Sequence, residues 1–355
     1  MKYPGKSLQW SGLVLGCAAV LALAAWGGYW YGTRQTSSTP QSQRGVLLRT
    51  NTGELPHINP LLMCEVATEE VTELLPIKVV LEDRVATLRR NRDITQASLY
   101  VRTLNSGRWF EINPDEQYTP ASLLKTAMLM AYLRIAEMQP EILNVSIPFV
   151  PKSAATTAVV APTTTLTPRQ SYTIGTYLNQ LIVESDNQAL EVLRAYLAAH
   201  HPAALAQTYK DLALPTDNDP TAHSITPRMY SRLFSLLYNA TYLGRETSEA
   251  AIELLIASSY KKGLVAGVPA GMSVAHKFGE RAIATPTGGL TEQEFHDCGI
   301  VYYPGHPYFI CVMTKGTDFT RMQQAIADLS RTAYEQIDAY FLEQDATATK
   351  RFPSP

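Results

Sequence analysis

The sequence predicts an α+β fold, in which five strands form one antiparallel sheet and a helical region is inserted between the second and third strands. Residues 97–104 and 108–112 are rich in strand formers and flank the turn Asn105-Ser106-Gly107, which indicates a hairpin. Three more strand-like runs, bounded by Gly and Pro, lie at residues 273–278, 298–303 and 308–313. Apolar residues then recur every three or four positions from Phe319 to Phe341, as on a helix that packs on a sheet.

Helical patterns fill most of the chain between the two groups of strands. Residues 121–135 are almost wholly apolar and predict a helix that is buried on nearly every side. Residues 156–167 are rich in Thr, Ala and Pro and predict a loop. Weaker helical patterns lie at residues 174–183, 189–199, 227–242 and 248–256, and an exposed helix is predicted ahead of the sheet at residues 75–92.

The last two strand-like runs flank Pro304-Gly305-His306-Pro307 and predict a second hairpin. With the turn at Gly305-His306, Cys298 lies opposite Met313. Cys298 and Cys311 are then diagonal neighbours on one face, which disfavours a disulfide between them.

The composition excludes several classes of protein. The 355 residues carry 30 Lys and Arg against 32 Asp and Glu, so the basic excess of a nucleic-acid-binding protein is missing. The four cysteines are scattered, and no Cys/His cluster has the spacing of a structural zinc site. We therefore expect no cofactor, no metal and no nucleic-acid partner.

The N-terminal part of the sequence predicts a membrane anchor. Residues 8–32 carry no charge, are long enough to span a bilayer as a helix, and have aromatic residues near both ends. A cleaved signal peptide and a lipoprotein signal at Cys17 are the alternatives, but the apolar stretch is long for the first and continues past the cysteine. Residues 1–7 are then a short cytoplasmic segment, and the polar residues 33–57 are a flexible linker.

The folded domain is predicted at residues 58–345, with a helical lobe at about 121–260 and a disordered tail at 346–355. Basic residues flank both ends of the apolar stretch, so the charge distribution does not orient it. The placement of the domain outside the membrane depends on the function argued below.

The buried helix begins with a candidate nucleophile. Residues i and i+3 share a helical face, so the Ser122 hydroxyl and the Lys125 amine can meet. Serine needs a base that removes its proton, and a lysine whose pKa is lowered by desolvation can be that base. The alternative is a packed helix with a snorkelling lysine. The same spacing occurs at Ser258 and Ser259, but no buried helix follows them.

Two further motifs follow along the chain. In Ser185-Asp186-Asn187 the hydroxyl can relay a proton and the carboxamide can bind a substrate amide, although a helix cap is the simpler interpretation. In His276-Lys277-Phe278-Gly279-Glu280 the lysine can hold an anionic substrate, and Gly279 permits close approach of a substrate backbone. The alternative there is an edge-strand lysine that opposes aggregation.

The three motifs in this order resemble the signature shared by class A β-lactamases and penicillin-binding proteins, and the likeness runs from about residue 97 to 341. The resemblance implies a sandwich with helices on both faces of the sheet, beside an all-helical lobe. It also implies a role for each motif residue. These roles are acylated nucleophile for Ser122, activating base for Lys125, proton relay for Ser185, amide contact for Asn187, carboxylate contact for Lys277, and an oxyanion hole from the N–H groups of Ser122 and Glu280.

The sequence departs from the family pattern at two places. Phe278 stands where the family usually has Thr or Ser, so a hydroxyl contact to the substrate carboxylate is lost. The Glu-x-x-Leu-Asn motif, whose glutamate activates the deacylating water in class A enzymes, is not found at residues 214–220. Asp217 or Asp219 could replace that glutamate, but such residues usually form turns. We therefore expect slow deacylation.

These observations predict a single-pass membrane protein, monomeric, with an extracytoplasmic serine hydrolase domain. Its substrates are expected to be β-lactams or peptidoglycan stem peptides. The alternatives are a non-catalytic cell-wall binding protein with the same fold, and a membrane-tethered interaction module unrelated to hydrolysis.

Overall fold

A computed structural model describes residues 48–49, 55–63, 72–151, 159–215, 224–284 and 290–351. The chain divides into two units, Met1–Gly45 and Val46–Pro355, and every described residue belongs to the second. The predicted anchor and the residues Asp217 and Asp219 lie outside the described residues. Within the described part of the chain, no helix combines the length and the apolar character needed to cross a membrane.

The helices and strands follow the predicted order. The strands are β1 (Leu48–Arg49), β2 (Leu61–Met63), β3 (Gln96–Thr103), β4 (Trp109–Ile112), β5 (Ser146–Pro148), β6 (Ser171–Thr173), β7 (Val274–Ala284), β8 (Leu290–Val301) and β9 (Tyr308–Gly316). The helices are α1 (Leu75–Arg90), α2 (Lys125–Ala136), α3 (Ile174–Val183), α4 (Asn187–His200), α5 (Ala204–Asp211), α6 (Pro227–Tyr238), α7 (Arg245–Ile256) and α8 (Phe319–Arg351). Short 3-10 turns lie at Thr72–Leu74, Ala121–Leu124, Pro140–Asn144 and Leu264–Gly267.

The five-stranded sheet has the order β4-β3-β9-β8-β7, and every neighbouring pair is antiparallel. The helical lobe between β4 and β7 separates the second sheet strand from the third, so the predicted α+β architecture is confirmed. β7 is an edge strand, and its free side faces the 3-10 turn at Ala121–Leu124. This edge positions the candidate site.

Two apolar layers cover the sheet. The helical lobe packs on one face around Leu129 and Phe234, and the other face packs against α1 and α8. Helix α8 buries the predicted periodic stripe, including Met322, Ile326 and Leu329. The helix also continues to Arg351, so the predicted boundary at residue 345 is too early. Neither Gly nor Pro occurs between residues 319 and 352 to end the helix sooner.

Some local predictions need correction. Helix α1 is amphipathic rather than exposed, because its apolar stripe, with Leu81 and Val85, is buried. The predicted helix at 121–135 begins as a 3-10 turn and becomes α-helical only at Lys125. Helix α5 and the small β5–β6 ladder were not predicted, because both are too short for a clear periodic pattern.

The predicted register of the last hairpin is wrong by two residues. Cys298 lies opposite Cys311, and a disulfide joins them. The loop is longer than predicted because Tyr302 leaves the ladder: its N–H donates to Ser273 O and its hydroxyl to His57 O. We expect non-reducing peptide mapping, with chymotryptic cleavage after Tyr302, to recover two peptides that the Cys298–Cys311 bond joins. Separate peptides with free thiols at these positions would contradict the disulfide.

Packed structure also begins earlier than the predicted domain start at residue 58. The His57 backbone N–H lies 3.1 Å from each carboxylate oxygen of Glu249, and its Nδ1 lies 2.5 Å from one of them. The next contact is a hydrogen bond from Asn59 N–H to Tyr238 O. The end of the predicted linker is therefore tied to α6 and α7.

Candidate active site

The 3-10 turn that carries Ser122 is fixed from the sheet side. Glu294 accepts the Thr119 N–H (3.1 Å), His296 Nε2 lies 3.0 Å from Thr119 O, and Arg281 donates to Thr119 Oγ1. Burial lowers the pKa of His296 to about 4, so the ring is neutral at pH 7 and its Nε2–H is the donor. Ala121, between this anchor and the serine, has φ +48°, a strained value for alanine that orients the start of the turn.

Lys125 is buried behind Ser122, with 2% exposure, and does not snorkel. Its Nζ donates to Ser185 O (2.5 Å), Ser185 Oγ (3.2 Å) and Asn187 Oδ1 (2.7 Å). Burial lowers the pKa of Lys125 to about 7, against the opposing influence of Asp186 and Glu280. A large fraction of this amine is therefore neutral near pH 7.

The Ser185-Asp186-Asn187 turn is a helix cap, and it also places polar groups beside the two lysines. Asp186 caps α4 by accepting the Gln188 N–H at 2.7 Å, as a helix cap does. Ser185 has φ +54°, and its buried hydroxyl points toward both lysines. The cap is the local structure, and it is also what brings Ser185 and Asn187 to Lys125.

Lys277 reaches the same hydroxyl from the sheet. Its Nζ donates to Ser185 Oγ at 2.8 Å and to Phe278 O at 3.0 Å, and the residue is fully buried. Burial and then the charge of Lys125 hold the pKa of Lys277 well below its ordinary value. An edge-strand lysine that opposes aggregation would be exposed, so that alternative does not fit.

Gly279 lies against the turn that carries Ser122, a contact that the sequence did not predict. A Cβ at this position would lie 2.9 Å from Pro120 O and 3.1 Å from Leu123 Cγ. The glycine therefore lets β7 approach the turn that carries Ser122. The neighbouring Glu280 carboxylate accepts the N–H groups of Val159 and Val160.

The predicted site residues converge on one cavity of about 720 Å³. Its lining includes Ser122, Lys125, Ser185, Asn187 and Glu280, and Lys277 is joined to it through Ser185. Among the described residues, the Ser122 hydroxyl has no hydrogen-bond partner, so it is open to the cavity. The arrangement provides a nucleophile, a poised amine and a bridging hydroxyl, the groups that acyl transfer to serine requires.

Most of the chain matches the profile of a known enzyme family. The profile of the Beta-lactamase enzyme family matches residues 80–337, which is most of the chain and contains all three motifs. The chain belongs to the Beta-lactamase enzyme family. Membership supports the assignment as a serine hydrolase. No sequence among the curated proteins matches the chain.

Solved structures of this family share the fold at low sequence identity. The class A β-lactamase from Mycobacterium abscessus has 21% identity and a TM-score of 0.61, over 73% of this chain and 99% of that one. A β-lactamase from Xanthomonas campestris has 18% identity and a TM-score of 0.61, over 74% and 98%. A PBP-A mutant, solved as an acyl-enzyme complex with penicillin G, has 20% identity and a TM-score of 0.59, over 74% and 97%.

Sequence reasoning missed the residues that support the site of this β-lactamase family member. His296 was not singled out, and it is wholly buried against Thr119. Glu184 was not singled out, although it accepts the N–H (2.7 Å) and the hydroxyl (2.9 Å) of Thr163. The spacing of Glu294 and His296 at i and i+2 on one face of a strand was a usable signal. The sequence gives no sign of their common partner, Thr119, which lies 175 residues before Glu294.

Proposed function

We propose that the chain is a serine hydrolase that forms an acyl-enzyme on Ser122 with β-lactams or peptidoglycan stem peptides. The observation that carries the proposal is the shared hydrogen bonding of Lys125 and Lys277 to the Ser185 hydroxyl, beside the open Ser122 hydroxyl. Family membership and the acyl-enzyme reported for PBP-A are consistent with it.

The proposed acylation starts at Lys125. The neutral amine has two N–H groups for its three acceptors, so its lone pair can turn from one of them to Ser122. It takes the Ser122 proton, the serine oxygen attacks the substrate carbonyl, and the carbon–nitrogen bond of the amide or lactam then breaks. The leaving nitrogen needs a proton. Both lone pairs of Ser185 Oγ accept from lysines, so its O–H remains available to donate, and the proton from Lys125 can replace the one it gives.

Substrate binding involves the remaining residues. Asn187 contacts a substrate amide, and the N–H groups of Ser122 and Glu280 stabilise the oxyanion. Lys277 faces the substrate carboxylate. Because burial lowers its pKa, we expect the incoming carboxylate to favour the protonated form and so to couple substrate binding to proton uptake.

Deacylation is proposed to be slow, since residues 214–220 carry no Glu-x-x-Leu-Asn motif. We also propose that the domain is monomeric, extracytoplasmic and anchored through residues 8–32. The uncharged apolar stretch supports the anchor, and the Cys298–Cys311 disulfide supports an oxidising compartment. Phe278 and the missing glutamate motif favour a second candidate, a cell-wall binding protein without turnover.

Labelling with a fluorescent penicillin tests the proposal. The purified chain is expected to gain one covalent label per molecule, and a Ser122→Ala variant of equal thermal stability is expected to gain none. Intact mass followed over time then reports the lifetime of the acyl-enzyme. A Ser122→Ala variant that labels as strongly as the wild type would refute the assignment. An unlabelled wild type would favour the binding protein.

A further inference from the structure

A carboxylate bridges the two sides of the candidate site. Glu280 belongs to edge strand β7, whereas Val159 and Val160 belong to the helical lobe, 121 and 120 residues away. One Glu280 oxygen accepts the Val159 N–H at 2.6 Å, and the two oxygens lie 3.2 and 3.1 Å from the Val160 nitrogen. All three residues line the same cavity as Ser122, so the bridge lies at the cavity wall.

The bridge contains one short hydrogen bond, from Val159 N–H, and one Val160 N–H that is shared between the two Glu280 oxygens. An ionised carboxylate that accepts backbone N–H groups forms shorter and stronger bonds than a neutral acceptor does. Glu280 is half-buried, and its side chain lies on the same side of β7 as Phe278, whose ring is packed into the core. A fixed neighbour of this kind limits the directions in which the Glu280 side chain can turn away.

The valine segment does not depend on Glu280 alone. A second carboxylate, Glu184, holds Thr163 in the same segment through its N–H and hydroxyl, and it also accepts the Ser259 hydroxyl at 3.1 Å. Loss of Glu280 should therefore open the bridge while Thr163 stays attached to the lobe. This separates the bridge from the general folding of the segment.

We infer that Glu280 is a specificity-determining residue, whose bridge to Val159 and Val160 narrows the cavity and excludes acyl donors with bulky groups next to the scissile carbonyl. The inference rests on the proposed acylation of Ser122. It assigns to the Glu280 side chain a role separate from that of its backbone N–H, which every substitution except proline retains. The substrate class that fits is a penicillin or a peptide donor with a small, unbranched acyl group.

The first test needs no β-lactam. Amide hydrogen exchange of the full chain is expected to quicken at Val159 and Val160 in Glu280→Ala and to stay slow at Thr163. Glu280→Gln keeps the size and a weaker acceptor, so its exchange should be intermediate. Glu253→Ala changes an exposed glutamate on α7 and is the control. Unchanged exchange at both valines in Glu280→Ala would show that the bridge does not exist.

The second test compares two neutral acyl groups of different bulk. The rates at which benzylpenicillin and the more branched piperacillin acylate Ser122 are measured by competition with a fluorescent penicillin. We expect Glu280→Ala to raise the piperacillin-to-benzylpenicillin rate ratio about tenfold, equivalent to about 1.4 kcal/mol. A smaller rise is expected for Glu280→Gln and none for Glu253→Ala.

The outcomes separate the two proposals. Faster exchange at the valines with an unchanged rate ratio in both Glu280 variants would leave the bridge but overturn its role in specificity. A wild-type chain that neither penicillin labels would overturn the proposed function, and the specificity role with it. The exchange measurement would still report on the bridge.

Discussion

Replacing Lys125 by alanine is expected to lower the rate of Ser122 acylation by about 10²–10⁴-fold, the usual contribution of a general base. Lys125 is the buried amine nearest the nucleophile in sequence, and its three acceptors, on Ser185 and Asn187, hold it in place. The effect should appear in the acylation rate constant measured with a fluorescent penicillin at saturating concentration.

The pH dependence of acylation identifies the base. Only the neutral amine accepts the Ser122 proton, and burial lowers the pKa of Lys125 to about 7. Acylation by the wild type should therefore rise as pH increases through about 7. A lysine in water would place the same rise at about 10.4. The profile should be measured as rate constant over half-saturation concentration, which reports the free protein. In that ratio a fall at higher pH is also expected, because carboxylate binding then has to bring a proton to Lys277.

A matched variant distinguishes the loss of the base from the loss of a positive charge at position 125. Lys125→Arg keeps a positive charge but cannot lose its proton in this range, so it should lose acylation as Lys125→Ala does. Thermal unfolding of both variants checks that they fold. An arginine variant that acylates at more than a tenth of the wild-type rate would show that Lys125 is not the base, since the expected loss is at least a hundredfold.

The sequence predicts the fold well because each large element carries its own periodic signal. The strands β3, β4 and β9 and the stripe on α8 follow from apolar spacing and turn residues, whereas β8 is predicted only in its last four residues. The predictions that fail concern places where a contact between residues far apart in sequence determines the local structure. The register of the β8–β9 hairpin depends on Tyr302, whose hydroxyl binds His57, a residue 245 positions away. No local pattern contains that information.

The candidate site divides in the same way. Ser122, Ser185 and Lys277 are identifiable because a motif sets the order and spacing of their chemical groups. The Thr119 anchors Glu294 and His296 belong to no motif and are buried polar residues whose partner is known only from the fold. Gly279 was identified, but its close approach to Pro120 was not, because the two residues meet only in the fold.

Phe278 is the residue whose interpretation changes most. The sequence alone indicates that Phe278 replaces a Thr or Ser whose hydroxyl would contact the substrate. In the structure the side chain is 2% exposed and packs in the core layer that faces α8. Its ring lies 6.1 Å from that of Phe295 at an interplanar angle of 12°, and 4.4 Å from that of Tyr260.

Phe278→Thr is therefore expected to destabilise the protein by about 3–5 kcal/mol, the range for large-to-small replacement of a buried Phe. The new hydroxyl would replace a ring that packs on the rings of Tyr260 and Phe295 in an apolar layer. An unsatisfied buried hydroxyl adds to the cost rather than restoring a substrate contact. The measurement is urea unfolding of the variant and the wild type under identical conditions.

Phe278→Leu is the control, because it keeps an apolar side chain and loses less volume; we expect it to cost clearly less than the threonine variant. If the threonine variant were as stable as the wild type and acylated faster with benzylpenicillin, the side chain at 278 would have to turn toward the cavity. The ring would then not be committed to the core. The loss of the usual hydroxyl at position 278 is thus linked to the packing of β7 on α8. The aromatic contacts of Phe278 with Tyr260 and Phe295 would have to be replaced together before a hydroxyl at this position could contact a substrate.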